Sequence, residues 1–336
     1  SVKVGAPPKG PREGDNREDA LQEDLDAGAR LFEGVTEKRA GLFDEVTYLD
    51  ADGKSVTRQR VLPEDEERIG FMEGGFEEAQ EAKRNNAAEI GALLERDLSQ
   101  QDIDAFLSER AKPWGGKGEI ILRKNGQISF VPAAEKRFNG EVVIRPDDPN
   151  YKRFASEAIA DGLIKGWTGI GAGMDAGLDK NVISEMTDLT DRIFNGGEVP
   201  ANLSPRERVI AAFLLGQYEN TQKWLREQGV KSMILHRGMR IDEDHPLRPS
   251  METDPQFFGE MEFDLNALSA SSFEWATAAY TFGEVGGRSG VVVTMEVPAE
   301  RIMSTAVSGM GSLIENEVVI IGTKNMRSLI EWGYEE

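Results

Sequence analysis

The sequence predicts an α+β protein, and three stretches predict it. "GEIILRKNGQISFVP" sets two alternating apolar runs on either side of Asn125-Gly126, the pattern of a β-hairpin. "ANLSPRERVIAAFLLGQYENTQKWLREQG" is a long helix with its caps written in. "SGVVVTMEVP" and "NEVVIIGT" are apolar strand runs far downstream of both. Strand signals and helix signals are grouped along the chain, and no internal repeat is evident.

Taken in order, residues 1–20 are rich in Gly, Pro and charge and predict a flexible arm. From Leu21 to about Phe43 the pattern is helical and acidic. "LDADGKSV" predicts a turn between short strands. Asp50 and Asp52 ahead of Gly53 suggest a calcium loop, but an EF-hand needs Gly sixth and Glu twelfth, and Val61 stands twelfth. Pro63 to Arg110 predicts two helices, the second capped by Ser99. The Asn125-Gly126 hairpin predicts a type I′ turn, and "GEVVIRP" a further strand. Pro and Asp cluster near residue 150, so the expected organisation is an arm (1–20), an N-terminal α+β domain (21–150) and a second domain (151–336).

"YKRFASEAIADGLIKG" predicts a helix. The glycines after it therefore lack the preceding strand that a dinucleotide-binding fingerprint needs, and a glycine-rich link is expected instead. The capped helix follows, with Ser204 as N-cap, Pro205 at N1, Glu207 closing a capping box and Gly229 ending it. "VKSMILHRGMR" predicts a strand and "SFEWATAAYTF" a helix.

Composition narrows the function. The chain has 336 residues and a net charge of −21, which repels both nucleic-acid phosphates and an anionic membrane surface. Without cysteine there is no thiolate nucleophile and no cysteine metal site. His236 and His245 are too far apart in sequence for an ordinary zinc pair, so no metal is expected. No apolar run approaches the length of a membrane span, and the N-terminus shows no signal pattern. Ser1 in place of methionine suggests processing or a cloning remnant. A cytoplasmic site of action is expected.

"LIENEVVIIG" puts Glu315 and Glu317 at the mouth of an apolar strand, where a buried carboxylate is costly unless it is paired or bonded. Two residues apart, they share one strand face. Upstream, "LHRGM" puts Arg237 at a strand end, and "LSASSFEWATAAYTF" puts Ser269 at another, before an aromatic helix. This ordered set resembles the arginine–serine–glutamate clade of mono-ADP-ribosyltransferases, which includes clostridial-type toxin domains and injected bacteriophage enzymes. The resemblance covers about residues 150–336. It implies two packed, mainly antiparallel sheets with flanking helices.

It also implies NAD as substrate and transfer of ADP-ribose to an arginine of a target protein. Glu317 would stabilise the oxocarbenium-like charge as the nicotinamide bond breaks, as carboxylates do in sugar hydrolysis. Ser269 would hold that carboxylate. Arg237, with Gly238, would bind the ribose or pyrophosphate side, since guanidinium forks onto phosphate oxygens. Ser271 and Phe282 complete the expected NAD contacts. Glu315 would orient the acceptor guanidinium. The loop Val307–Leu313 corresponds to the family's target-recognition loop, and Gly309 and Gly311 suggest mobility. Delivery by a phage particle or secretion system is a family-level expectation.

Ala270 stands where the family has Thr, and a register using Ser271 and Ser272 stays open. Phe273, Trp275, Tyr280 and Phe282 fit a helix core as well as a nicotinamide stack. Taken singly, Arg237 fits an ordinary surface arginine, Ser269 a strand-end cap, and His236 a packed residue on the face opposite Arg237. Two other functions remain open: an NAD glycohydrolase toxin, and a non-enzymatic virion or structural protein with a retired transferase fold.

Overall fold

The structure, a computed structural model, describes residues 36–40, 43–49, 55–61, 76–134, 140–168, 180–240, 258–273, 277–278, 290–313 and 316–331. The arm expected at 1–20, the turn at "LDADGKSV", the glycine-rich link after residue 168 and His245 lie outside the described residues. The architecture is α+β, with antiparallel sheets and several helices.

Strands β1 (Thr36–Ala40), β2 (Phe43–Leu49) and β3 (Ser55–Val61) form an antiparallel meander. The helical pattern expected up to about Phe43 therefore gives way to strand at residue 36. The register runs from Thr36 opposite Thr47 to Ala40 opposite Phe43, so a partner strand overrides the local helical preference.

Helix α1 (Phe76–Asp97) and helix α2 (Gln100–Arg110) follow. Ser99 caps α2, its hydroxyl accepting the Asp102 N–H at 3.1 Å. Strands β4 (Gly118–Leu122), β5 (Ile128–Pro132) and β6 (Val142–Ile144) make a second small sheet in the order β5-β4-β6. Its hairpin turn is not type I′. Gly126 has φ 81° but Asn125 does not have a positive φ, and the Gly126 N–H donates to the Arg123 carbonyl at 2.9 Å. A turn closed over Arg123–Gly126 with only the glycine left-handed is the three-residue loop with a G1 bulge. Asn125 spends its side chain on the Gln127 N–H at 3.2 Å, which supports that geometry.

Helices α3 (Tyr151–Thr168), α4 (Lys180–Thr190) and α5 (Pro205–Glu227) come next. The capping box of α5 forms as the sequence implies: the Glu207 N–H donates to Ser204 Oγ, and the Ser204 N–H donates to the Glu207 carboxylate at 2.8 Å. Gly229, at φ 73°, closes the C-terminal end.

One apolar core joins the five helices α1–α5 described above to the small sheet. It runs from Ala87 and Ile90 on α1 through Ile120 and Phe130, then Ile159 and Phe213, to Val319 and Ile321. The parts on either side of residue 150 thus share a core.

The remaining strands are β7 (Ser232–Arg240), β8 (Phe258–Phe263), β9 (Ser269–Ser272), β10 (Gly290–Pro298), β11 (Ile302–Thr305), β12 (Glu317–Ile320) and β13 (Met326–Glu331). They form one antiparallel sheet in the order β11-β12-β9-β7-β10-β13-β8. Among the described residues a single pair, His236 with Ser272, joins β9 to β7, whereas β10 and β7 pair along nine residues. The two parts of the sheet meet at that junction and share a second core: Val318 and Ile320 on one side, Leu235, Val293 and Met295 on the other. The opposite face of β12 carries Val319 into the helical core. Alternation along β12 therefore sorts its side chains between two cores.

Candidate active site

The motif strands, far apart in sequence, are neighbours in space in the order β12-β9-β7. Glu317 is the first residue of β12 and pairs with Ser272, the last of β9; Ser272 in turn pairs with His236 on β7, and His236 with Thr294 on β10. Directly paired residues share a face, so Glu317, Ser272, His236 and Thr294 form a row on the helix-facing side of the sheet. His236 is buried and shares a 2.8 Å hydrogen bond between Nδ1 and Thr294 Oγ1.

Glu317 is 5 % exposed, so its carboxylate needs partners. Trp167, near the end of α3, donates its indole N–H to Oε1 at 2.9 Å. The Ser312 N–H donates to Oε2 at 2.6 Å, while the Glu317 N–H donates back to the Ser312 carbonyl at 3.1 Å. The Ser312–Glu317 loop is thus closed by backbone and side chain together. Asn316, buried within it, takes φ 44°, which asparagine tolerates better than most residues.

Arg237, Ser269 and Ser271 lie on the other face. Arg237 falls between Leu235 and Met239, and the two serines pair with Ile320 and Val318, on the side of the second core. The Arg237 guanidinium donates through Nη1 to the Ala270 carbonyl, and its Nε is buried without a partner among the described residues. Burial pushes the guanidinium below its ordinary pKa, and the Glu317 charge opposes that shift. Ser271 Oγ is also buried without a partner among the described residues. Ser269 donates to the Asn266 carbonyl at 2.9 Å, whereas the described donors to the Glu317 carboxylate are Trp167 and Ser312. Gly238 is buried beside Arg237 and pairs with Val292. Phe273 is buried in the second core. Glu315 and Phe282 lie outside the described residues, as do Trp275 and Tyr280 of the expected aromatic helix.

The segment Val307–Gly311 is buried and pinned, which corrects the mobility its glycines suggest. Gln217 on α5 donates to the Ser308 carbonyl at 3.0 Å and accepts the Met310 N–H at 3.1 Å. Thr221 and Ser308 share a 2.9 Å bond between hydroxyls. From α1, Asn86 donates to the Val307 carbonyl and Lys83 to the Gly311 carbonyl. The glycines serve close packing: at Gly309 a Cβ would strike the Gln217 side chain, and at Gly311 it would lie 2.7 Å from the Glu317 carbonyl. Both have positive φ, 148° and 110°.

Lys83 and Trp167 carry no motif in the sequence, yet both attend the carboxylate. Burial pushes the Lys83 ammonium down to about 8; Glu317 and Asp161 oppose the shift and Lys165 adds to it. Among the described residues no group of three His, Asp or Glu is arranged to hold a metal, and no helix is long and apolar enough to cross a membrane. No protein-family model, curated protein or solved structure matches the chain.

Proposed function

We propose that the chain is a mono-ADP-ribosyltransferase that moves ADP-ribose from NAD to an arginine of a target protein and releases nicotinamide. The observation that carries the reading is the adjacency of β12, β9 and β7, which draws the Glu317, serine and Arg237 motifs to one sheet junction. Two features support NAD as the ligand. The Glu317 carboxylate is held by two N–H donors, so it is preorganised to face developing positive charge. Arg237 Nε and Ser271 Oγ, on the sheet face opposite the Glu317 side chain, are buried polar atoms without partners among the described residues, which a polar ligand reaching that face would satisfy.

In this reading Glu317 stabilises the ribosyl cation as the bond from C1′ to nicotinamide breaks and nicotinamide leaves neutral. Glu315 accepts a proton from the acceptor guanidinium, whose nitrogen then bonds to C1′. Ser272, directly opposite Glu317, is the serine best set to orient the carboxylate; Ser269 and Ser271 face Arg237's side.

Hydrolysis of NAD is the second reading, and one observation favours it. The Val307–Gly311 segment is buried under α1 and α5, out of reach of a target protein in this arrangement. Incubation of the full chain with labelled NAD, a bacterial lysate and a small guanidine compound separates the two. Label on protein or guanidine supports transfer. Free ADP-ribose alone, at high turnover, supports hydrolysis. Neither product would return the chain to a non-enzymatic structural role.

A further inference from the structure

A cavity of about 270 Å³ opens between α1, α3 and the turn joining β4 to β5. Its charged lining is Lys83 and Arg84 from α1, with Asp161 and Lys165 from α3; Gln127 and Leu313 complete the side nearest the site. Among the described residues three cations face one carboxylate, in a chain whose net charge is −21.

The carboxylate is already engaged. Asp161 accepts from Lys165 Nζ at 2.8 Å, from Ser129 Oγ at 3.0 Å and from Gln127 Nε2 at 3.1 Å. Lys165 and Asp161 therefore offset one another, and Lys83 and Arg84 supply the excess charge. Lys83 Nζ donates to the Gly311 carbonyl and forms no ion pair within bonding distance among the described residues. Arg84 has neither a hydrogen bond nor an ion pair among the described residues. A partly buried guanidinium and a desolvated ammonium side by side are costly without an anion between them.

We propose that this cavity is a subsite for a phosphate or diphosphate group. A guanidinium fork beside an ammonium point charge suits an anion with several oxygens better than a single carboxylate. The volume lies just below the roughly 300 Å³ at which sites enclosing a whole small molecule begin, so it fits a head group, not an entire dinucleotide. Lys83 and Leu313 form its wall toward Glu317, and Lys83 feels the Glu317 charge directly. A dinucleotide with its ribose at Glu317 would bring its diphosphate here. That source rests on the NAD reading; a separate phosphorylated effector is the other source of the same chemistry.

The test is calorimetric titration of the full chain with inorganic pyrophosphate, which does not depend on NAD cleavage. Wild type is expected to bind. Arg84→Gln and Lys83→Met should each weaken binding by about tenfold or more while still unfolding in one cooperative transition well above the titration temperature, and Arg145→Gln, on the surface elsewhere, should bind as wild type. Absence of pyrophosphate binding in wild type, or binding unchanged in both cavity variants, would overturn the proposal. Repeating the titration with ADP-ribose already present identifies the source. Competition assigns the cavity to the dinucleotide. Pyrophosphate binding undisturbed by ADP-ribose keeps the anion subsite and assigns it to a separate phosphorylated ligand. Loss of the NAD reading would leave the pyrophosphate result standing.

Discussion

Two charged regions of this molecule are built on different rules. Where α2 meets α5, cations meet carboxylates. Arg208 grips Asp102 through two nitrogens at 3.0 and 2.6 Å, and Arg206 bonds Glu109 at 2.6 Å and Glu185 at 2.7 Å. At the sheet junction, the cations meet carbonyls instead: Arg237 bonds Ala270 and Lys83 bonds Gly311. Both sense Glu317 as a charge, and neither forms an ion pair with it. The first region pairs its cations with carboxylates and fastens helices, although Arg206 Nη2 is buried with no partner among the described residues. The second holds charge in low-dielectric surroundings without neutralising it, which destabilises the fold unless a ligand exploits it.

The sharpest way to break this contrast is Glu317→Gln. The amide keeps the shape but accepts at one oxygen only, so either the Trp167 or the Ser312 N–H loses its partner; the melting temperature should drop somewhat, while NAD cleavage per folded molecule falls by about 100-fold or more. Near-normal cleavage would remove the carboxylate from the chemistry. Trp167→Phe keeps an aromatic ring and deletes one charge-assisted bond to Glu317; a loss of about tenfold in kcat/KM is expected, measured by nicotinamide release. Ser272→Ala and Ser269→Ala separate the two serine registers. Ser272 pairs with Glu317 and Ser269 with Ile320, so the first substitution should cost several-fold more turnover than the second.

In the fastening region the expectation reverses. Asp102→Asn should cost about 1 kcal/mol of stability, because Arg208 is partly solvated, and leave turnover per folded molecule intact. The Arg208 bond holds the Asp102 carboxyl below its ordinary pKa. Its stabilisation is therefore present above the unfolded carboxyl pKa and is lost as pH falls through the folded one, so acid melts of wild type and Asp102→Asn should converge.

Lys83 carries the smallest predicted effect, and it falls in the alkaline range. Its folded pKa, about 8, is below the ordinary lysine value of 10.5, so the unfolded chain binds more protons between those limits. The cost of burying the ammonium is present in full below 8 and is relieved as pH rises through that window. Pyrophosphate affinity should fall a few-fold as pH passes 8, with Glu317, Asp161 and Lys165 as the other charges facing the ammonium. Lys83→Met should lack that step in the same titration.

Local rules are legible in the chain and distant contacts are not. Ser99, Ser204 and Gly229 announce helix ends because capping is settled within four residues. Glu317 stands out because a carboxylate at the head of an apolar strand needs an explanation. The strand at Thr36–Ala40 is hidden because its pairing with β2 outweighs its helical pattern. Asn125-Gly126 signals a hairpin correctly, but the choice of turn depends on which φ asparagine adopts, and asparagine accepts either sign. Gly309 and Gly311 signal conformational freedom where the need is close approach to α5 and β12. Trp167 and Lys83 reach the surroundings of Glu317 from 150 and more residues away, with no motif to mark them.

The most direct test of the central claim is nicotinamide release from NAD by the wild-type chain, measured beside Glu317→Gln under identical conditions. Release by wild type is expected, with loss in the variant per folded molecule at a temperature well below both melting transitions. Wild type that releases no nicotinamide, or a variant that releases as much, would contradict the central claim.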